Sequence, residues 1–181
     1  MSAKDVLTMI KDNDIQFVDF RFTDPKGKWQ HTCYISTQVN ESVFEDGIMF
    51  DGSSIAGWKS INESDMILMP DAATAFVDPF AAQPTIVVFC DVIEPSTGQP
   101  YGRDPRSVAK RAEAYLQYTG IGDTAYFGPE LEFFVFDDVR FKTAGNYSFH
   151  QLDSEELPCN SDRVYPAGNT GHRPPTKGGY F

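Results

Sequence analysis

The amino-acid sequence predicts a mixed α+β chain organised in two parts, on three observations. Apolar and polar residues alternate through "IQFVDFRFTD", and after a Pro-Gly turn "WQHTCYIS" supplies a returning strand. "PTIVVFCDVI" is nearly all β-branched or aromatic, as expected of a central strand. "EPSTGQPYGRDP" is dense in proline and glycine, so the chain divides into residues 1–95, a linker at 96–103 and residues 104–181.

In chain order, Ser2 is placed to cap a helix from about Ala3 to Asn13 whose apolar stripe is Val6, Leu7 and Ile10. In the strand that follows, Val18, Phe20 and Phe22 share one face and Phe17, Asp19 and Arg21 the other, so a single face is expected to be buried. "DPKGK" turns the chain, giving a hairpin over residues 15–36. A short helix is expected within residues 38–46, then a polar turn around Asp51, then "DMILMPD" and "TAFVDPF" ahead of the central strand at 84–93. Beyond the linker, Asp104 caps a helix with Pro105 at its first position. That helix runs to Gly120 with Val108, Ala112, Tyr115 and Leu116 as its buried stripe. "TAYFGPELEFFVFDDVRF" reads as a further strand interrupted by Gly128 and Pro129, and residues 141–170 show little periodicity.

With 181 residues and a formal net charge of −11, the chain is a poor partner for nucleic-acid phosphates or an anionic membrane surface. Cations, divalent metals included, suit it better. No apolar run approaches the roughly 20 residues of a membrane helix. "MSAKDVLTMIKDN" lacks the apolar core of a signal peptide, so a cytoplasmic location is expected. Cys33, Cys90 and Cys159 are widely spaced, without a CxxC pair, and read as reduced structural thiols.

Chemistry gathers at two places. "MFDGSSIAGWKSINESD" sets Asp51 among small polar residues with an exposed-looking Trp58 close behind, the composition of an idle surface turn or of part of an active site. Glu130 and Glu132 stand two apart, so in a strand both carboxylates project from one face, about 7 Å apart. Such acids repel unless a cation neutralises them, and Mg²⁺ or Mn²⁺ prefers carboxylate oxygens. The spacing by itself favours a solvated strand face, while Phe134 and Phe136 on the same face favour a cleft. His172 reads as a loop residue, and "KGGY" lacks the spacing of a P-loop.

"FVDFRFTDPKGK", "FDGSSIAGWKSINESDMILMPD", "GRDPRSVAKRAEAYL", "FGPELEFFVFDD" and "GHRPPTKGGYF" follow one another in an order that resembles bacterial (type I) glutamine synthetase along residues 1–181. The resemblance implies a β-grasp-like N-terminal domain followed by the start of an α+β, barrel-like catalytic domain. It implies that Glu130 and Glu132 each serve one of two catalytic divalent ions, Mg²⁺ or Mn²⁺. Asp51, with Ser54 nearby, and Tyr180 would bind ammonium, Asp51 also helping to remove its proton, and Trp58 would pack at a subunit boundary. The implied reaction is ATP-dependent ligation of ammonia to L-glutamate through γ-glutamyl phosphate. The implied assembly is a homo-oligomer of two stacked six-subunit rings, in which the Asp51 loop completes a neighbour's site.

In that family the chain continues far past "GGYF" with the remaining metal ligands and most of the nucleotide site. The 181 residues alone are therefore expected to be inactive. Leu131 departs from the family, which usually has proline between the two glutamates. Two other functions fit the same residues. One is a non-catalytic assembly module that docks through the Asp51 loop; the other is a related γ-glutamyl ligase for another amine, which the Asp51 and Tyr180 matches disfavour.

Overall fold

The structure is a computed structural model that describes residues 1–60 and 64–153. Its elements begin with α1 (Ala3–Asp12), β1 (Phe17–Thr23), β2 (Trp29–Ile35), α2 (Glu41–Asp46), β3 (Ile48–Asp51) and β4 (Asp65–Pro70). They continue with β5 (Phe76–Val77), β6 (Thr85–Glu94), β7 (Gln99–Pro100), α3 (Pro105–Thr119), β8 (Asp138–Thr143) and β9 (Ser148–Asp153). Contacts divide the chain into two compact units, Met1–Tyr126 and Phe127–Phe181.

The first unit is assembled around β6. Along one edge, β1 runs parallel to its first half (Val18 opposite Ile86) and β7 antiparallel to its end (Gln99 opposite Glu94). Along the other edge, β4 pairs with its second half (Leu68 opposite Val92) and β5 with its first (Val77 opposite Ile86). With β2 outside β1 and β3 outside β4, the order is β2-β1-β6-β4-β3. Being paired on both edges and covered on both faces, β6 buries Ile86, Val87, Val88, Cys90 and Val92, which explains its nearly all apolar sequence, with Asp91 as the charged exception in its interior. Burial also pushes the Cys90 thiol well up from its ordinary pKa, in keeping with a reduced, inert residue.

Val18, Phe20 and Phe22 of β1 meet Met66 and Leu68 of β4 in the core, and α1 lays Val6 and Ile10 over them. Each such side chain, fully buried, contributes about 1.5–3 kcal/mol. The helix starts where the sequence places it: the Ser2 hydroxyl accepts from the Asp5 amide at 3.3 Å and Asp5 accepts from the Ser2 amide at 2.7 Å. The opposite face of β1, expected to be open, is partly closed. Asp19 is buried because Arg21 Nε, at 2.7 Å, and His31 Nδ1, at 2.6 Å, close on its carboxylate. Trp29 and Phe76 then stack against Phe89 on the same side of the sheet.

The residues expected to form a linker, 96–103, turn back on the sheet: Gln99–Pro100 pairs with β6 as β7, and Tyr101 is buried. The first unit therefore extends through α3. Asp104 is the N-cap, as expected, and Gly120 closes the helix with a φ of +68°. The expected apolar stripe is a correction, since Val108 and Tyr115 stay exposed, Leu116 is half-buried, and the buried position is Ser107. Helical period shows which side chains share a face, whereas α3 is held to the sheet at its first turns by charge. Arg106 donates to Asp91 at 2.8 Å and to Asp71, and Lys110 reaches Asp91 at 2.5 Å.

In the second unit, β8 and β9 form an antiparallel hairpin, with the Ala144 amide donating to the Tyr147 carbonyl at 2.9 Å across the turn. Part of the stretch from which no element was expected is thus regular. Conversely, residues 124–136, expected as a strand, carry no regular structure and have no ladder partner among the described residues. The strand begins only at Asp138, because β pattern alone makes no strand without a neighbour to take its backbone hydrogen bonds.

Candidate functional site

Asp51 stands at the end of β3, opposite Asp65 of β4, where the chain leaves the ladder for a 3-10 turn at Gly52–Ser54. Its Oδ1 accepts from the Ser53 amide at 2.8 Å and from the Ser53 hydroxyl at 2.6 Å. These bonds hold the carboxyl below the usual carboxylate range, the hydroxyl first and the amide second; slight desolvation opposes them and the Ser64 hydroxyl adds to them. Asp51 is exposed, so an ionised acid is presented to solvent in a fixed orientation.

The turn is rigid because it is pressed against β4. The Gly52 amide donates to the Ser64 carbonyl at 2.7 Å. A Cβ on Gly52 would stand 2.6 Å from the Met66 side chain and 3.1 Å from the Ser64 carbonyl, so only glycine fits. Ser54, expected beside Asp51, is exposed; the serine that gives the acid both its amide and its hydroxyl is Ser53.

Trp58, expected as an exposed indole, is only 5% exposed. Its ring packs against Phe22 at 5.5 Å, Phe50 at 6.1 Å and Tyr101 at 5.5 Å between centroids. The large apolar area of an indole is most stable inside an aromatic cluster, and a loop is free to fold it there. The Tyr101 hydroxyl donates to the Trp58 carbonyl at 3.0 Å and Arg103 donates to the Gly57 carbonyl at 2.7 Å, so residues of the expected linker clamp the Asp51 loop. No spacing in the sequence announces that clamp, and only the nearness of Ser53 to Asp51 hints at its role.

In the second unit, Glu130 and Glu132 are exposed on the irregular segment before β8. The rings of Phe134 and Phe136 lie 6.0 Å apart between centroids, in a segment that forms no strand. Among the described residues no group of three or more His, Cys, Asp or Glu side chains converges as a metal site. Two exposed carboxylates are suitable donors for a hard divalent ion but supply only part of the roughly six oxygens it takes. Tyr180, Cys159 and His172 lie outside the described residues. No described helix is long and apolar enough to cross a membrane.

Residues 14–95 match the family model for the β-grasp domain of glutamine synthetase, and residues 102–181 match the model for its catalytic domain. The chain belongs to the glutamine synthetase family. The glutamine synthetase of Azorhizobium caulinodans is 63% identical over 180 residues, an alignment covering 99% of this chain and 38% of that relative. A protein of Cupriavidus pinatubonensis named 3-hydroxylaminophenol mutase is 57% identical over 180 residues, with the same 99% and 38% coverage, so closely similar chains carry a second name. The cryo-electron microscopy structure of Plasmodium falciparum glutamine synthetase superposes with a TM-score of 0.70 over 90% of this chain and 31% of that one; at 21% identity it speaks for the fold alone. The chain thus spans 38% of the length of the curated relatives cited, and its β-grasp N-terminal unit accounts for the curled mixed sheet around β6.

Proposed function

We propose that this glutamine synthetase family chain is the N-terminal part of a glutamate–ammonia ligase. The γ-carboxylate of glutamate takes the γ-phosphoryl group of ATP, giving γ-glutamyl phosphate and ADP, and ammonia then displaces phosphate to give glutamine. The observation that carries this reading is Asp51, an exposed acid held ionised and oriented by Ser53 on the β-grasp unit of a chain 63% identical to a glutamine synthetase. Such a carboxylate attracts ammonium and offers a place for the proton that nitrogen must lose before it is a nucleophile. Ser54 and Tyr180 belong to the same ammonium pocket. Glu130 and Glu132 would each hold one divalent ion, Mg²⁺ or Mn²⁺, and a bound ion offsets charge on the transferring phosphoryl group.

The domain division that goes with this reading is a β-grasp-like domain at 1–95 and the start of the catalytic domain at 104–181, joined by residues 96–103, which link the two in sequence while folding back on the first as β7 and the buried Tyr101. The protein works as a cytoplasmic homo-oligomer of stacked six-subunit rings. Its Asp51 loop completes a neighbour's site, and Trp58 supports that boundary from beneath by fixing the loop. The test is Asp51→Asn in the complete polypeptide carrying this sequence. Glutamate and ATP binding should be spared, while glutamine formation at fixed ammonium falls about a hundredfold, because the amide keeps the shape and loses the charge. Unchanged ammonium-dependent turnover would defeat the reading.

A further inference from the structure

Two serines follow Asp51, and the structure treats them differently. Ser53 gives both its amide, at 2.8 Å, and its hydroxyl, at 2.6 Å, to the same carboxylate oxygen, whereas Ser54 faces solvent beyond it. We propose that Ser53 is a positioning residue for ammonium capture: its two donors on Oδ1 fix the direction in which the Asp51 carboxylate meets ammonium. This inference rests on the reading of Asp51 as an ammonium-binding residue.

Two donors on one carboxylate oxygen favour its ionised form and resist its rotation. The scaffold supports a fixed direction as well, because Gly52 is wedged against Met66 and Ser64 with no room for a Cβ, so the turn presenting Ser53 has little freedom to shift.

The consequence is a split in kinetic constants that a merely structural turn residue does not produce. In the complete polypeptide, Ser53→Ala should raise the KM for ammonium about tenfold while kcat at saturating ammonium stays within about twofold, since a charge-assisted donor is lost and the acid itself remains. The KM values for glutamate and ATP should not move, and Ser53→Thr, which returns the hydroxyl, should restore the KM for ammonium. If Asp51→Asn abolishes ammonium use while Ser53→Ala leaves its KM unchanged, the role given to Ser53 is overturned and the reading of Asp51 stands. If Asp51→Asn itself leaves ammonium use intact, that reading falls and takes this inference with it. A Ser53→Ala variant that raises all three KM values alike, with a lowered melting temperature that Ser53→Thr fails to rescue, would reduce Ser53 to a structural turn residue.

Discussion

Asp24 shows how much one small acid settles in the first hairpin. It accepts from the Lys26 and Lys28 amides, both at 2.9 Å, and from the Gln30 side chain at 3.0 Å, so a single carboxylate shapes the turn between β1 and β2. The Gln30 amide, first, and the two backbone amides hold its carboxyl below the ordinary range. A depressed folded-state pKa stabilises the native chain at pH values above the unfolded value, about 3.9 for aspartate, and that stabilisation is lost as pH falls through the folded value. Asp24→Ala should therefore melt below the parent chain at neutral pH, and the two melting curves should converge as pH is lowered from about 4. Thermal melts followed by circular dichroism across that range check this, and a gap independent of pH would assign the effect to lost packing alone. The DPKGK turn itself was legible, because proline and a glycine at φ +82° leave the chain few alternatives. Asp24 as its organiser was not, since an aspartate beside a turn has the same sequence appearance whether or not three donors reach it.

Among the elements, those fixed by local chemistry matched their sequence signals: α1 through its capping box, the β1–β2 hairpin through its turn, β6 through its β-branched and aromatic run. Those that depend on a distant neighbour did not. Residues 124–136 have strand composition but no described ladder partner, and α3 has an apolar stripe that it leaves exposed. The candidate site divides in the same way. Asp51 at a polar turn could be seen in the sequence, while the inward turn of Trp58 and the clamp by Tyr101 and Arg103 required residues 43 and 46 positions apart to meet. The attachment of α3 makes a test at this level. Asp104 is fully buried and accepts from the Ser107 hydroxyl at 2.8 Å, the Arg106 and Ser107 amides at 3.1 and 3.2 Å, and the Val92 amide of β6 at 3.3 Å. Asp104→Ala removes a helix cap and strands buried donors, so it should cost about 2–4 kcal/mol in urea unfolding. Hydrogen exchange should rise over the first turns of α3 and at Val92, with Val87 and Val88 unaffected. A loss below about 0.5 kcal/mol would mean that the Arg106 and Lys110 ion pairs hold the helix start without the cap.

For the whole molecule, the residues assigned to one reaction fall in different compact units. Asp51 lies within Met1–Tyr126, and Glu130 and Glu132 lie within Phe127–Phe181. Two separate family models meet on the chain in the same order, β-grasp at 14–95 and catalytic at 102–181. An exposed, rigid acid on the first unit is what a site completed between subunits needs: a carboxylate that is already oriented before the neighbour arrives loses little entropy on docking. In a symmetric oligomer with such a site, damage to the two halves is complementable, because a subunit lacking its own Asp51 charge can still lend intact glutamates to a neighbour that supplies Asp51. Complete polypeptides carrying Asp51→Asn or Glu132→Ala should each be nearly inactive. Unfolded together in equal amounts and reassembled at random, they should recover about a quarter of parental activity, one half times one half, since a site is intact only where a Glu132-bearing subunit meets an Asp51-bearing one. Native mass spectrometry of the mixture establishes that the oligomers are mixed. No recovery in verified mixed oligomers would place Asp51 and Glu132 in the site of a single subunit, and would leave the neighbour-completing role of the Asp51 loop without support.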